Sequence, residues 1–257
     1  MKQVTVAAVQ MSSGSDVDHN VECAIALIGL AAEQGAEYVQ VPEYFNYLGP
    51  SKGFERVAES VPGPTTTRMA DVARARNVTL HLGSLLEHSP IEGKFFNTSV
   101  LLNPQGDIVA TYRKIHLFDV DVPGAIVHRE SDVIAAGDDL VVANLALFTL
   151  GMTICFDVRF PELYRALTNE GAELLAVPAA FNAVTGAAHW DTLVRARAIE
   201  NHAFVIAAAQ VGTTSEGIAT YGHSIIVDPW GVVVNEAATN EPEIVMATID
   251  VDEVLRR

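Results

Sequence analysis

The chain reads as an α/β protein. Several short runs are apolar nearly throughout, which is how strands covered on both faces look; stretches of 3.6-residue periodicity stand between some of them; turn signals join others as hairpins. Val4 to Val9 is the first such run, and Val21 to Gln34 follows it with helical spacing. Tyr38 to Val41 is the second run, Thr66 to Arg76 the second helix, and Val78 to Leu82 the third run. Ser99 to Leu102 and Ile108 to Tyr112 flank Asn103-Pro104-Gln105-Gly106-Asp107, a hairpin signal. Leu145 to Ile154 reads as one strand, Pro161 to Glu170 as a helix with proline in its first turn, and Leu174 to Val177 as a strand. A helix over Ala188 to Asn201 and a strand over Phe204 to Ala209 come next. Ser224 to Val227 enters a second hairpin at Asp228-Pro229-Trp230-Gly231, and Val245 to Ile249 is the last run. Phe118 to Asp139 carries little periodicity and is rich in Asp, Gly and Pro; a loop of that length in a compact domain is usually functional.

No repeat, low-complexity tract or linker interrupts the 257 residues, so residues 1–257 are expected to form a single domain. A body of this size buries roughly 70–75% of its unfolded surface and needs no staple. With 49% apolar and 19% charged residues the chain is far from a disordered composition. Sixteen basic residues against 32 acidic ones give a net charge of −16, which repels phosphate backbones and anionic lipid and argues against nucleic-acid or membrane partners. The N-terminus lacks the order of a signal peptide and no apolar run nears the ~18 residues of a span, which points to the cytoplasm. Cys23 and Cys155 are the only cysteines, too few for a disulfide framework, and no Cys/His spacing suggests zinc.

In open α/β sheets the ligand site lies beyond the carboxyl ends of the strands, so polar residues directly following apolar runs are the candidates. They are Glu43, Lys114, Cys155 and Asn182. Cys155 stands where a strand gives way to a helix, on a turn whose backbone N–H groups can stabilise an anion. A free cysteine is as readily a core residue, and Cys23, on the apolar face of the first helix, is read that way. Glu43 and Lys114 taken singly read as solvated charges. Together the three supply what amide hydrolysis needs: a nucleophile, a carboxylate that takes and returns a proton, and a cation for the oxyanion.

Three long motifs occur in order: Pro42-Glu43-Tyr44-Phe45, Tyr112-Arg113-Lys114-Ile115-His116-Leu117-Phe118-Asp119 and Ile154-Cys155-Phe156-Asp157-Val158-Arg159-Phe160-Pro161-Glu162-Leu163. With them the chain resembles the carbon-nitrogen hydrolase (nitrilase) superfamily, from about Val4 to Asp250. Further segments are similar to its omega-amidase and deaminated-glutathione amidase branch: Phe118 to Gly124, His128-Arg129-Glu130-Ser131, Ala180 to Gly186, His189-Trp190, Arg195 to Asn201 and Tyr221 to Ser224. The resemblance implies a four-layer α-β-β-α sandwich, usually dimeric, with no cofactor or metal and a small-molecule amide as substrate. It implies Glu43, Lys114 and Cys155 as the triad, Glu130 as a second glutamate positioning Lys114, and Lys114 with the Phe156 N–H as the oxyanion hole. Arg159 would reach a substrate carboxylate, with Phe181 and Thr185 lining the pocket. An arginine near a helix start would equally well pair with one of the many acidic side chains. Two departures stand out: Phe156 replaces the usual tyrosine after the nucleophile, and the chain stops at Arg257, where many relatives continue across the dimer.

His116, Asp119, Asp121 and His128 are the residues a metal hydrolase would use, but they have no strong ligand spacing. There is no GxSxG, P-loop or GxGxxG. Within the superfamily an aliphatic nitrilase, an N-carbamoyl amidohydrolase, a general aliphatic amidase or an acyltransferase shares the triad. A non-catalytic interaction protein would have no need of all three residues.

Overall fold

In the computed structural model, which describes residues 2–122, 126–214 and 217–256, the apolar runs become two six-stranded sheets packed face to face. The first half of the chain forms β1 (Gln3–Gln10), α1 (Val17–Glu33), β2 (Tyr38–Val41), the single turn α2 (Phe54–Val57), α3 (Pro64–Arg76), β3 (Thr79–His88), β4 (Phe95–Leu102) and β5 (Ile108–Arg113). β6 (Asp119–Val122) and β7 (Ile126–Arg129) make a small separate hairpin; β8 (Val142–Asn144) and β9 (Thr149–Met152) open the second sheet. Then come α4 (Pro161–Asn169), β10 (Leu174–Ala176), α5 (Ala183–Asn201) and β11 (Phe204–Ala207). β12 (Val211–Thr213) and β13 (Ala219–Tyr221) pair with each other. β14 (Ile225–Val227), β15 (Val233–Glu236), β16 (Glu243–Asp250) and α6 (Asp252–Arg256) complete the chain.

The strand orders are β16-β1-β2-β3-β4-β5 and β15-β14-β11-β10-β9-β8. In each sheet three central strands run parallel and the flanking strands pair antiparallel. Strand alternation divides the core into layers. In β1, Val4, Val6 and Ala8 belong to the core between the sheets, while Ala7 and Val9 pack outward with Ile28 of α1 and Met69 of α3. On the far side, Leu163 and Leu167 of α4 and Trp190 and Val194 of α5 cover the second sheet. This is the expected α-β-β-α order, and burial on both faces is why the strands are apolar throughout. Among the described residues no helix is long and apolar enough to cross a membrane.

Two expectations need correction. Leu145 to Ile154 is not one strand: residues 145–148 turn, with the Leu145 N–H donating to the Phe148 carbonyl at 3.0 Å, and β8 and β9 pair antiparallel across them. The turn contains Phe148, which packs edge-on against Tyr38 with ring centroids 5.2 Å apart, so its apolar character reflects burial and not strand. The segment Phe118 to Asp139 is more ordered than its composition suggests, with β6 and β7 in register from Asp119 opposite Arg129. Its strands pair only with each other and carry charges, so no apolar alternation marks them. Pro123 and Gly124 of the motif there lie outside the described residues.

A polar cluster lies deep in the inter-sheet core. His81 of β3 is fully buried, its Nδ1 2.7 Å from the Tyr38 hydroxyl and 3.2 Å from Gln40 Nε2, and its Nε2 2.6 Å from Ser99 Oγ. Gln40 Oε1 accepts from the Ala208 N–H at 3.1 Å, tying the cluster to the second sheet. Burial lowers the His81 pKa to about 3. The folded protein therefore binds this proton less readily than the unfolded chain, and the associated stability, complete above the ordinary histidine pKa, is lost as pH falls toward 3. Between pH 7 and pH 4.5 His81 should contribute a loss of about 2–3 kcal/mol. Urea unfolding should show wild-type and His81→Gln stabilities converging over that range; a constant difference between them excludes the linkage.

Candidate active site

Three of the four polar residues that follow apolar runs converge from the ends of strands in both sheets. Glu43 lies two residues beyond β2, Lys114 follows β5 directly, and Cys155 comes three residues after β9. Gly83, at an irregularity in the β3–β4 pairing, lets the strand pass against the segment leading to Glu43. A Cβ there would stand 2.1 Å from the Val41 carbonyl oxygen and 2.2 Å from that of Pro42. The fourth residue, Asn182, has a structural task, capping α5 by accepting from the Val184 N–H at 3.0 Å.

Lys114 is the centre of the cluster. Its Nζ donates to Glu43 Oε1 at 2.8 Å and to Glu130 Oε2 and Oε1 at 2.9 and 3.2 Å, with all three side chains almost wholly buried. Burial works against the ammonium, but Glu130 and Glu43 outweigh it and hold its pKa well above the ordinary lysine value. Glu130 is likewise opposed by burial; the Lys114 charge and the Phe118 N–H, which donates to Oε2 at 2.6 Å, bring its pKa below the usual carboxylate value. Glu43 Oε2 accepts from the Ala180 N–H at 2.8 Å, which ties the first sheet's carboxylate to the chain following β10. Composition gave no sign of two further members. Asn97 Nδ2 lies 2.9 Å from Glu43 Oε1 and 3.3 Å from Glu130 Oε1, and the Tyr44 hydroxyl donates to Glu130 Oε1 at 3.1 Å.

The nucleophile candidate sits on a strained turn. Cys155 has φ +47°, as Tyr44 beside Glu43 has φ +54°, in a region non-glycine residues enter at a cost of about 1–2 kcal/mol. One tertiary and one local bond hold the turn: the Cys155 N–H donates to the Pro178 carbonyl at 2.9 Å, and the Ile154 N–H to Asp157 Oδ2 at 2.8 Å. Asp157, fully buried, also accepts from the Tyr112 hydroxyl at 2.7 Å, the His116 N–H at 3.0 Å and His116 Nδ1 at 2.7 Å. One carboxylate thus clamps the cysteine turn to the residues on either side of Lys114. Burial first, then the charge of Glu43, pushes the Cys155 thiol pKa well up. The resting group is therefore a thiol beside a carboxylate. Cys23 behaves differently, half-buried on the α1 core face with Sγ 3.6 Å from His19 Nε2.

A cavity of about 890 Å³ is lined by Glu43, Lys114, Glu130 and Cys155, with Phe156, Phe181 and Thr185 on its walls. Arg159 stands behind that wall, its guanidinium carbon 5.5 Å from the Phe156 ring centre and 5.2 Å from that of Phe181. Its Nη2 lies 3.3 Å from His189 Nδ1, its Nε is buried without a hydrogen-bond partner, and among the described residues no carboxylate pairs with it. His128 and Arg129, from β7, also line the cavity. The alternative metal set is not assembled: His116 is engaged by Asp157, and among the described residues no group of three His, Cys, Asp or Glu is placed to hold an ion.

Comparison with known proteins follows the same lines. Residues 5–256 match the carbon-nitrogen hydrolase family model. The deaminated glutathione amidase of Synechocystis sp. (strain PCC 6803 / GT-S) is 42% identical over 255 residues, covering 98% of this chain and 93% of that protein. The omega-amidase NIT2 of Homo sapiens is 39% identical over 250 residues, covering 97% and 90%. Among solved structures, the C. elegans NitFhit protein superposes with a TM-score of 0.92 at 36% identity over all of this chain, which spans 63% of that longer one. With its sandwich of two sheets, its buried Glu-Lys-Glu cluster beside a strained cysteine and this full-length likeness to two amidases, the chain belongs to the carbon-nitrogen hydrolase family.

Proposed function

We propose that the protein hydrolyses a small linear amide through a thioester on Cys155, without a cofactor. The observation that carries this reading is the convergence of Cys155, Glu43 and Lys114 on one cavity, with Glu43 Oε1 2.8 Å from the buried Lys114 ammonium. Glu43 takes the thiol proton as Cys155 Sγ attacks the amide carbonyl carbon. The oxyanion that forms is held by Lys114 and the Phe156 N–H. As the C–N bond breaks, Glu43 returns the proton to the departing nitrogen, which leaves as ammonia or an amine. A water that gives its proton to Glu43 then attacks the thioester, and collapse frees the acid and the thiol. Glu130 touches no substrate in this scheme; it holds Lys114 in place.

Substrate-treated protein should carry an acyl adduct on Cys155, visible by mass spectrometry when deacylation is slowed, and Cys155→Ala should lose at least about 1000-fold in kcat. An adduct elsewhere, or full activity in Cys155→Ala, ends this account. Glu130→Gln should lower kcat on the order of 100-fold in the wild-type background and do little further harm in Lys114→Ala, because groups acting as a unit are non-additive. Equal losses in both backgrounds would mean that the two residues act independently.

The substrates we infer carry a carboxylate: ω-amides of dicarboxylic or 2-oxo acids, or a deaminated-glutathione-like amide. At a net charge of −16 an anionic substrate approaches against a repulsive field, so a local cation must recover it. Arg159 supports this reading from behind the cavity wall: it does not itself line the cavity, but it has no acidic partner among the described residues and lies against the Phe156 and Phe181 rings that do. Arg159→Lys should raise KM more for the free acid than for its methyl ester, since lysine cannot reproduce a bidentate contact. Equal turnover of acid, ester and aliphatic nitrile by the wild-type protein would replace carboxylate recognition with a nitrilase or general aliphatic amidase.

A further inference from the structure

Asn97 is fully buried in β4, and no part of the mechanism above uses it. The β4–β5 ladder pairs Thr98 with Arg113 and continues one step further, where the Lys114 N–H donates to the Asn97 carbonyl at 2.9 Å. Asn97 and Lys114 are therefore cross-strand neighbours on one face. On that face Asn97 Nδ2 meets Oε1 of both Glu43 and Glu130, at 2.9 and 3.3 Å. The opposite amide orientation would aim Oδ1 at two carboxylate oxygens, so charge alone determines which end faces them. Asn97 Oδ1 is buried with no hydrogen-bond partner. A leucine of similar size would escape that penalty, so the amide has a use other than stability.

We propose that Asn97 is a positioning residue that keeps Glu43 and Glu130 ionised side by side, by giving one amide N–H to each. The inference rests on Glu43 being the base that takes the Cys155 proton. The groups facing the two carboxylates are Lys114, the Asn97 amide, the Tyr44 hydroxyl, the Cys155 thiol and the N–H groups of Ala180 and Phe118. The nearby Glu87–Arg113 pair is engaged on the other face of β4, where Thr98 donates to Glu87. Two carboxylates thus share one ammonium, and the amide supplies the second donor common to both. Without it the pair takes up a proton at higher pH, and a protonated Glu43 cannot accept the thiol proton.

The test is the pH dependence of Cys155 alkylation by iodoacetamide in wild type, Asn97→Leu, Asn97→Asp and Glu43→Gln. Mass spectrometry reads the adduct, with Cys23, the only other cysteine, as internal reference. Wild type should show an acid limb on Cys155 set by the Glu43–Glu130 pair, with the rate at Cys23 read alongside as the reference for general thiol reactivity. Asn97→Leu should move that limb up by about one pH unit, and Asn97→Asp further, because it adds a third carboxylate. At the alkaline end Asn97→Leu should recover to within about tenfold of wild type. A lowered plateau with an unmoved limb in both variants reduces Asn97 to a packing residue and overturns the proposal. Should Asn97→Leu fail to fold, the isosteric Asn97→Asp decides alone. A wild-type limb that persists in Glu43→Gln overturns the reading of Glu43 as base, a result distinguishable from failure of Asn97 alone.

Discussion

A lysine buried with two carboxylates is the constraint from which the arrangement of the site follows. Taking these charges out of water costs several kcal/mol per ion unless each is met by fixed donors and acceptors. The donors come from the ends of several strands: Lys114 after β5, Asn97 in β4, the Phe118 N–H before β6, the Ala180 N–H after β10 and the Tyr44 hydroxyl after β2. No single element could supply them. The cluster requires both sheets to be docked, and it sits where their strand ends meet.

Docking is reinforced by polar bonds that cross the sheet interface away from the charges. Gln210 Nε2 donates to the Glu43 carbonyl at 3.1 Å and to Ser13 Oγ at 2.9 Å, while its Oε1 accepts from the Ser13 N–H at 2.9 Å. Gln40 and His81 form a comparable crossing deeper in the core. Apolar packing between sheets is tolerant of small slides, whereas directional bonds to backbone groups are not. Glu43 is thereby held against the cysteine turn by groups that specify register.

The same logic explains the strained backbone. Cys155 and Tyr44, the residue after Glu43, both occupy the left-handed region, and each is held by bonds formed only in the folded chain. The Asp157 clamp joins the two sides: it fixes the turn at Ile154 and the strand end at Tyr112 and His116, so the thiol and the Lys114 backbone share one anchor. Burial raises the thiol pKa of Cys155, which favours the protonated sulfur at rest.

Much of this was legible in the chain. Strands buried on both faces must be apolar at successive positions, so β1, β2, β10 and β11 stand out in the sequence, and the placement rule for α/β sites then selected Glu43, Lys114 and Cys155, together with Asn182, which instead caps α5. Glu130 was reached only through the family motif, because a residue in a short irregular turn has no period to mark it. Asn97 was not reached at all: it lies within the buried strand β4, and nothing local distinguishes it from a residue satisfying its own backbone. The β6–β7 hairpin was missed because its strands pair only with each other, and the β8–β9 turn because Leu145, Leu147 and the buried Phe148 make it as apolar as a strand. What the linear chain determined is periodicity and the chemistry available at strand ends. Which oxygens meet which protons was decided by the docking of the two sheets, because hydrogen bonds form over about 3 Å between residues as far apart as Glu43 and Ala180, and only tertiary packing sets such distances.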